Sequence, residues 1–212
     1  MEKMPYQDQH TRVTAGSIPF DWHFGLPTIR GLNVTLRDVR DDDASALLAM
    51  LTTEEVAEFV SPLPRTVDGF GGFIAEAHHE RALGHSFCFA IVPDGYEDAM
   101  GLIQVRQLEP GFGSAEWGFA IGSPFWGRGI FADAAQSVID FSFGVVGVHR
   151  LEARSIASNG RGNAALRKLG ALQEGILRRS FQRNGRYFDQ ILWSILKEDW
   201  RHAHPVVAPT FH

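Results

Sequence analysis

The sequence predicts an α/β protein in which a mixed, mostly antiparallel sheet is flanked by helices. Two observations lead to this prediction. Residues 114–143 read as a strand with alternating apolar side chains, a glycine-rich turn and an amphipathic helix, in that order. The dipeptide Asn184-Gly185 separates strand-like runs at 176–183 and 186–196 and is the strongest hairpin signal in the chain.

The other predicted elements follow the same periodicity rules. Further strands are predicted at residues 32–37, 86–92, 100–108 and 150–156. Further helices are predicted at residues 67–83 and 163–169, the second closed by Gly170. Asp41-Asp42-Asp43 precedes the apolar segment ASALLAML, so we interpret these acids as helix capping rather than as a metal site.

Composition limits the classes of function without choosing one. The chain has 212 residues, 44% of them hydrophobic, and a formal charge of -5, which argues against nucleic acid or an anionic membrane as the main partner. The single cysteine, Cys88, lies in an apolar run and is predicted to be a core thiol. We find no metal-binding motif, no long apolar run and no signal peptide, so we expect a cytoplasmic protein without a metal.

The strand at Ser114–Ile121 has two different faces. Its even-numbered residues are small except for Glu116, so this face leaves room for a ligand beside one carboxylate. Gly118 within the strand suggests either a bulge or the close approach of a ligand.

The turn Gly127-Arg128-Gly129 leads into a predicted helix. A helix start carries unpaired N–H groups and partial positive charge, and glycines there allow a phosphate to approach the backbone. A tight strand-to-helix connection would look the same. The turn is neither a P-loop nor the dinucleotide-binding fingerprint.

Two segments resemble a known family. The string AEWGFAIGSPFWGRGIFADAA resembles the acetyl-CoA-binding segment of the GNAT superfamily of N-acetyltransferases, especially the branch of ribosomal-protein alanine acetyltransferases. Pro124 stands where the family pattern has Gln or Arg. The string SNGRGNAALRKLGALQEGILRR resembles the second conserved segment through Asn159, Lys168-Leu169-Gly170 and Glu174-Gly175. The two motifs follow each other at the family's spacing.

The resemblance implies a fold and a domain organisation. It implies a splayed pair of central strands with acetyl-CoA in the wedge between them, and a single acetyltransferase domain over residues 31–201. We expect residues 1–30 to be an irregular extension that wraps the domain or mediates subunit contact, so a homodimer is one alternative. We expect residues 202–212 to be a disordered tail.

The resemblance also implies roles for individual residues in binding the cofactor. Backbone N–H groups from Gly127 to Phe131 would bind the pyrophosphate, and strand residues 119–121 the pantetheine arm. Asn159 would contact the cofactor near its amide or sulfur. Arg128 would add charge near the pyrophosphate, or is simply a solvated turn residue. The complete predicted set is Phe119, Ala120, Ile121, Trp126, Gly127, Arg128, Gly129, Ile130, Phe131 and Asn159.

Glu116 is the predicted catalytic base, acting directly or through water. A carboxylate on a partly apolar face suits a base that works near neutral pH. An ion pair with an arginine of the neighbouring strand, such as Arg106, is an equally weighted alternative. Three residues depart from the family pattern. Gly162 replaces a serine, Leu166 stands where many relatives have the tyrosine that protonates the thiolate, and Ala171 replaces a phenylalanine. The sequence therefore offers no general acid.

The implied reaction is acetyl transfer from acetyl-CoA to a primary amine, by direct attack in a ternary complex. The acceptor is a protein N-terminus or a small amine such as a polyamine or an antibiotic. Alternatives are a non-catalytic acetyl-CoA-binding regulatory module and, more weakly, a structural subunit with a vestigial site. For Arg178, Arg179 and Arg183 the alternatives are an acceptor rim, a phosphate contact or a solvated basic strand.

Overall fold

The computed structural model of the chain describes residues 20–60 and 62–203. Its strands are β1 (Ile29–Arg30), β2 (Val34–Asp38), β3 (Ser86–Pro93), β4 (Gly101–Gln107), β5 (Ser114–Ile121), β6 (Arg150–Ile156), β7 (Leu172–Arg183) and β8 (Arg186–Leu196). Its α-helices are α1 (Ala44–Leu51), α2 (Glu54–Ala57), α3 (Val67–Ala82), α4 (Ile130–Phe141), α5 (Gly160–Lys168) and α6 (Lys197–Ala203).

The strands form an eight-stranded sheet in the order β1-β2-β3-β4-β5-β6-β8-β7. Every neighbouring pair is antiparallel except β5 and β6, which are parallel. The predicted fold class, a mixed and mostly antiparallel sheet flanked by helices, is confirmed. The hairpin at Asn184-Gly185 is confirmed as well, and both residues have the positive φ (47° and 74°) that a type I′ turn requires.

Helices cover both faces of the sheet, and β3 shows how its side chains are divided between them. Phe87 and Phe89 belong to the aromatic core under α4, whereas Cys88 and Ala90 belong to a second core under α1 and α3. Cys88 is buried, as predicted, and its burial raises the pKa of the thiol to about 12. The thiol is therefore a core group rather than a nucleophile at neutral pH.

The acidic triplet does more than cap a helix. Asp43 is buried and accepts hydrogen bonds from both Nη atoms of Arg37 at 2.7 Å. The backbone N–H groups of Arg40 and Ala99 donate to the same carboxylate. The capping bond from Arg40 agrees with the prediction, but the buried ion pair needed an arginine that lies earlier in the chain and was not foreseen. Asp43 thereby joins the start of α1 to β2.

Two element boundaries differ from the predictions. Helix α5 begins at Gly160 rather than at residue 163, because the Asn159 side chain caps it by accepting the Gly162 N–H at 2.9 Å. Strand β7 begins at Leu172, four residues before the predicted start, and is irregular between Leu177 and Phe181. Gly118 forms no bulge, since the pairing of β4 with β5 is continuous through it.

Residues that precede residue 31 already pack against the sheet and its core. Trp22 is buried and packs against Phe87 and Phe112, and β1 pairs with β2. At the other end, α6 continues to Ala203. Residues 1–19 of the predicted extension, Ser61 and residues 204–212 of the predicted tail lie outside the described residues. In the described part of the chain, no helix has the length and apolar character needed to cross a membrane.

Candidate active site

The central feature of the site is a gap between the two parallel strands. β5 and β6 are in register only at their starts, from Ser114 opposite Arg150 to Glu116 opposite Glu152. Beyond this point the strands diverge, and a cleft of about 870 Å³ opens between them. The start of α4 lines one side and α5 the other. The splayed central strands implied by the family resemblance are therefore present.

The backbone of β5 directs its polar groups alternately to either side of the strand. Gly122, just after the strand, donates its N–H to Met100 O at 2.9 Å. The backbone N–H and C=O groups of even-numbered residues are therefore directed towards β4. The C=O of Gly113, just before the strand, accepts the Arg150 N–H at 3.1 Å. The backbone N–H and C=O groups of odd-numbered residues are therefore directed towards β6. Beyond the point of divergence, the backbone N–H and C=O groups of odd-numbered residues thus face the cleft instead of a strand.

This alternation separates the predicted pantetheine-binding residues. The N–H and C=O groups of Phe119 and the N–H of Ile121 are directed into the cleft. The Ile121 C=O is already occupied, because it accepts the Trp126 Nε1–H at 2.9 Å. Ala120 lines the cleft, but its backbone groups pair with Leu102 of β4. Contrary to the prediction, they are therefore not available to a ligand.

The glycine-rich turn leaves open space at the start of α4. Gly127 and Gly129 have φ of +74° and +81°, and a Cβ added to either would meet nothing within 4 Å. The first bond of the helix runs from Asp133 N to Gly129 O, so the N–H groups of residues 130–132 have no acceptor within the helix. These donors and the dipole of a 12-residue helix fit an anionic group such as a pyrophosphate.

Aromatic and cationic side chains surround the same opening. Phe131, in the first turn of α4, packs on Phe119 with ring centroids 4.0 Å apart. From the opposite side Arg161 of α5 lies over the Trp126 ring, with its guanidinium carbon 3.7 Å from the centroid. Arg161 was not predicted as a site residue, since only the folded chain brings it to Trp126.

Two predicted cofactor residues lie differently from the rest. All of the predicted set line the cleft except Arg128 and Ile130. Arg128 is exposed, in keeping with the alternative of a solvated turn residue. The Ile130 side chain is buried in the core, so only its backbone N–H is placed to bind a ligand.

Asn159 explains one departure from the family pattern. Its Oδ1 caps α5, and a Cβ added to Gly162 would come within 2.5 Å of its Nδ2. A serine at position 162 is therefore incompatible with this Asn159 conformation. Nδ2 makes no hydrogen bond with the described residues and remains a donor at the edge of the cleft.

Glu116 lies at the point where β5 and β6 separate, and it is paired with two arginines. Its Oε2 accepts a hydrogen bond from Arg106 Nη2, and its Oε1 is 3.6 Å from Arg154 Nε. The Glu116 side chain is 17% exposed, whereas that of Arg106 is 57% exposed. The ion pair with Arg106 that we weighed as an alternative is thus formed. The role of base stays a prediction.

The other two departures from the family pattern, Leu166 and Ala171, are apolar residues of the core. Leu166 is buried and lines the cleft, and Ala171 is buried in the same core. Ser155 of β6 also lines the cleft and was missed, because a lone serine in a strand gives no signal in a sequence. Of the predicted arginine rim, Arg178 and Arg179 are exposed and Arg183 donates to Val60 O at 3.3 Å.

Comparisons with known proteins identify the family. The Acetyltransferase (GNAT) domain matches residues 33–172. The uncharacterised N-acetyltransferase p20 of Bacillus licheniformis is 26% identical over 82% of this chain and 99% of its own length. The [Ribosomal protein uS5]-alanine N-acetyltransferase of Escherichia coli is 25% identical over 61% of this chain and 66% of its own.

A solved structure has the same fold. Mycobacterium smegmatis RimJ in complex with CoA-disulfide superposes with a TM-score of 0.71, at 25% identity, over 82% of this chain and 88% of its own. The family match covers well over half of the chain and includes both diverging strands and the glycine-rich turn. This protein therefore belongs to the GNAT family of acetyltransferases and is an N-acetyltransferase.

Proposed function

We propose that this enzyme transfers the acetyl group of acetyl-CoA to a single primary amine, by direct attack while both substrates lie in the cleft. The observation that carries the proposal is the divergence of β5 and β6 beside an uncapped helix start. That arrangement provides a channel for an extended thioester and, at one end of it, donors for its phosphates.

The start of α4 would bind the pyrophosphate. The N–H groups of residues 127–131 supply donors, and the missing Cβ atoms at Gly127 and Gly129 leave room for phosphate oxygens. Arg161 and Lys168 of α5 line the same cleft and add positive charge. These residues fit coenzyme A by their donors, their charge and their open space.

The open edge of β5 would bind the pantetheine arm and orient the thioester. The cleft-facing groups of Phe119 and Ile121 continue the hydrogen-bonding pattern of a strand, so an extended amide chain can pair with them as a strand would. An N–H donor beside the thioester carbonyl would stabilise the negative charge that develops on its oxygen. Asn159 Nδ2 is a further donor on the opposite wall.

Glu116 would receive the proton of the attacking amine, directly or through water. An incoming ammonium group can replace the exposed Arg106 beside this carboxylate, because Arg106 is held there mainly by a solvent-screened ion pair. Displacement of one cation by another would place the amine at the divergence of the strands. The amine must then lose a proton before it attacks.

The charges of the cleft favour a peptide N-terminus over a polyamine as the acceptor. Its charged lining consists of Glu55, Glu116, Arg106, Arg154, Arg161 and Lys168. Several clustered carboxylates would be needed to hold a polyamine, whereas one α-amine needs a single nearby carboxylate. The relative from E. coli is named for an alanine of ribosomal protein uS5, which also favours a protein acceptor.

The first test is isothermal titration of the purified chain with acetyl-CoA, using Gly129→Ala and Gly147→Ala. Gly147 has φ of +89° and an equally open Cβ position but lies outside the cleft, so the two substitutions carry the same backbone strain. We expect Gly129→Ala to weaken acetyl-CoA binding by about tenfold or more, because a phosphate contact is lost. Gly147→Ala should bind like the wild type.

The second step identifies the acceptor. Release of the coenzyme A thiol is followed over a panel of peptides, polyamines and aminoglycosides. Saturable acetyl-CoA binding with no thiol release in any mixture would favour the alternative of a non-catalytic acetyl-CoA-binding module. Polyamines turning over faster than every peptide would contradict the proposed acceptor and leave the cofactor site intact.

A further inference from the structure

A hydroxyl group without a hydrogen-bond partner among the described residues lies in the wall of the cleft. Ser155 of β6 is 9% exposed, and its buried Oγ makes no hydrogen bond to any described residue. Among the described residues it is the one buried side-chain oxygen or nitrogen that lacks a hydrogen-bond partner. Buried polar groups nearly always have a partner, so an unpaired hydroxyl beside a substrate channel calls for a ligand that completes it.

The position of Ser155 relative to Glu116 follows from the alternation of β6. Ser155 and Ala153 share a face, and Ala153 packs in the core that also contains Leu166 and borders Phe119. Arg154 points to the other face, where it approaches Glu116. Ser155 and the candidate base therefore lie on opposite faces of the sheet, on either side of the gap between the strands.

We propose that the Ser155 hydroxyl donates a hydrogen bond to the sulfur of coenzyme A while the thioester C–S bond breaks. This inference rests on the proposed function of the cleft. The amine nitrogen forms a bond with the carbonyl carbon, and the electron pair of the C–S bond goes to sulfur. The proton released by nitrogen passes to Glu116 or water. Ser155 keeps its own proton, because an alcohol is a much weaker acid than a thiol.

The surroundings of Ser155 support this role. The two positions that would otherwise supply a hydroxyl hold Gly162 and Leu166, and the described residues that line the cleft include no tyrosine. Rotation about the Cα–Cβ bond of Ser155 breaks no hydrogen bond to a described residue, so the hydroxyl can turn to a ligand at little cost. A donor to a charged acceptor forms one of the stronger hydrogen bonds in proteins.

The test uses the binding of coenzyme A itself and requires no acceptor. A donor to the sulfur stabilises the thiolate and so lowers the pKa of the bound thiol below the pKa of the free coenzyme A thiol. In the wild type, coenzyme A should therefore bind more tightly as the pH rises towards that value. Affinities are measured by titration calorimetry across this range for coenzyme A and for desulfo-coenzyme A, with wild type and Ser155→Ala.

The expected result is a difference confined to one ligand and one variant. Near and above the pKa of the free thiol, Ser155→Ala should bind coenzyme A about ten- to a hundredfold more weakly than the wild type. Desulfo-coenzyme A should bind equally to both at every pH. Equal pH dependence of coenzyme A binding in both proteins would overturn the inference alone. Absence of coenzyme A binding to the wild type would overturn the proposed function with it.

Two further variants separate this role from a structural one. Ser142 is also a buried serine, but its Oγ donates to Val138 O at 2.6 Å. Ser142→Ala should lower the melting temperature and leave the pH dependence of binding unchanged, whereas Ser155→Ala should not lower the melting temperature. Ser155→Thr keeps a hydroxyl and should restore much of the pH dependence. A Ser155→Thr protein that folds and binds like Ser155→Ala would contradict the assignment.

Discussion

Glu116 combines two properties that usually belong to different residues, a structural ion pair and a place in the cleft lining where β5 and β6 diverge. Its carboxylate contacts Arg106 and Arg154 on one side of the strand divergence. An ion pair at this exposure contributes at most about 1 kcal/mol to folding, so stability alone gives little reason for the carboxylate. A proton acceptor at the end of the cleft has a larger effect on rate than on stability.

The substitution Glu116→Gln separates these roles. We expect kcat for acetyl transfer to fall by about a hundredfold or more, with acetyl-CoA affinity unchanged. Glu152→Gln is the matched control, because Glu152 is opposite Glu116 in the register, is 16% exposed and pairs with Arg150 at 3.0 Å, but does not line the cleft. The rates are measured by thiol release. Similar rates in the two variants would show that Glu116 is an ion-pair partner and not the catalytic base.

The connection between β2 and α1 depends on one buried ion pair. Arg37 and Asp43 are both buried, and the Asp43 carboxylate also holds the backbone of Arg40 and Ala99. Removing one charge leaves the other without its partner in the core. Asp43→Asn should therefore lower the free energy of unfolding in urea by about 3–5 kcal/mol. Asp41→Asn, at an exposed acid of the same turn, should change it by less than about 0.5 kcal/mol. Equal losses would contradict this reading.

The helices and strands could be predicted from local patterns, whereas their pairwise contacts could not. The alternation within β5 and the apolar stripe of α4 depend on neighbouring residues only, which is why both were found. The bond from the Asn159 side chain moved the start of α5, and no periodicity reveals it. The pairing of Arg37 with Asp43 likewise appears only once β2 and the helix start are folded together.

The candidate site was predictable to the same extent. The glycine-rich turn and Asn159 were found because the two family motifs contain them. Ser155 and Arg161 were missed, since each acquires its place through the divergence of β5 and β6 and not through its neighbours in sequence. The direction of the Ala120 backbone was also beyond sequence reasoning, because it depends on the parity of the pairing with β4.

The whole molecule can be regarded as a sheet opened at a single place between its two halves. Antiparallel pairing holds β1 to β5 together and joins β6 to β8 and β7, while the strand pairing between the two groups is limited, among the described residues, to the short parallel contact. The residues that line the gap come from both faces of the sheet. Glu116 lies on one face and Ser155 on the other, so amine and leaving thiol would occupy opposite sides of the transferred acetyl group.

The second half of the sheet contains a charge network that should make the stability of the protein depend on pH. Arg150 forms two hydrogen bonds with Glu174, and Ser194 donates to the same carboxylate at 2.7 Å. The Arg150 bonds and then the Ser194 bond lower the pKa of Glu174 from 4.5 to about 2.

The buried Asp43 at the other half of the sheet also has a shifted pKa. Burial acts to raise the pKa of Asp43, but bonds from Arg37, Arg40 and Ala99 outweigh it and lower that pKa as well.

Both carboxyl groups have a lower pKa in the folded state than in the unfolded chain, so the sign of the effect is fixed. Their stabilisation is complete above their unfolded values of 4.5 and 3.8 and is lost as the pH falls towards the folded values. The melting temperature should therefore fall from about pH 4.5 towards pH 2. Because the Glu174 side chain is 39% exposed, solvent screening reduces its share.

Glu174→Gln tests the network across this range, because glutamine cannot lose a proton. Its melting temperature should lie below that of the wild type near neutral pH, and the two curves should converge as the pH approaches about 2, where the wild-type carboxyl is also neutral. Glu54→Gln, at an exposed residue of α2, should follow the wild-type curve throughout. Parallel curves for Glu174→Gln and the wild type below pH 4.5 would show that Glu174 is not held ionised by Arg150, and the acid sensitivity would then belong to other carboxylates such as Asp43.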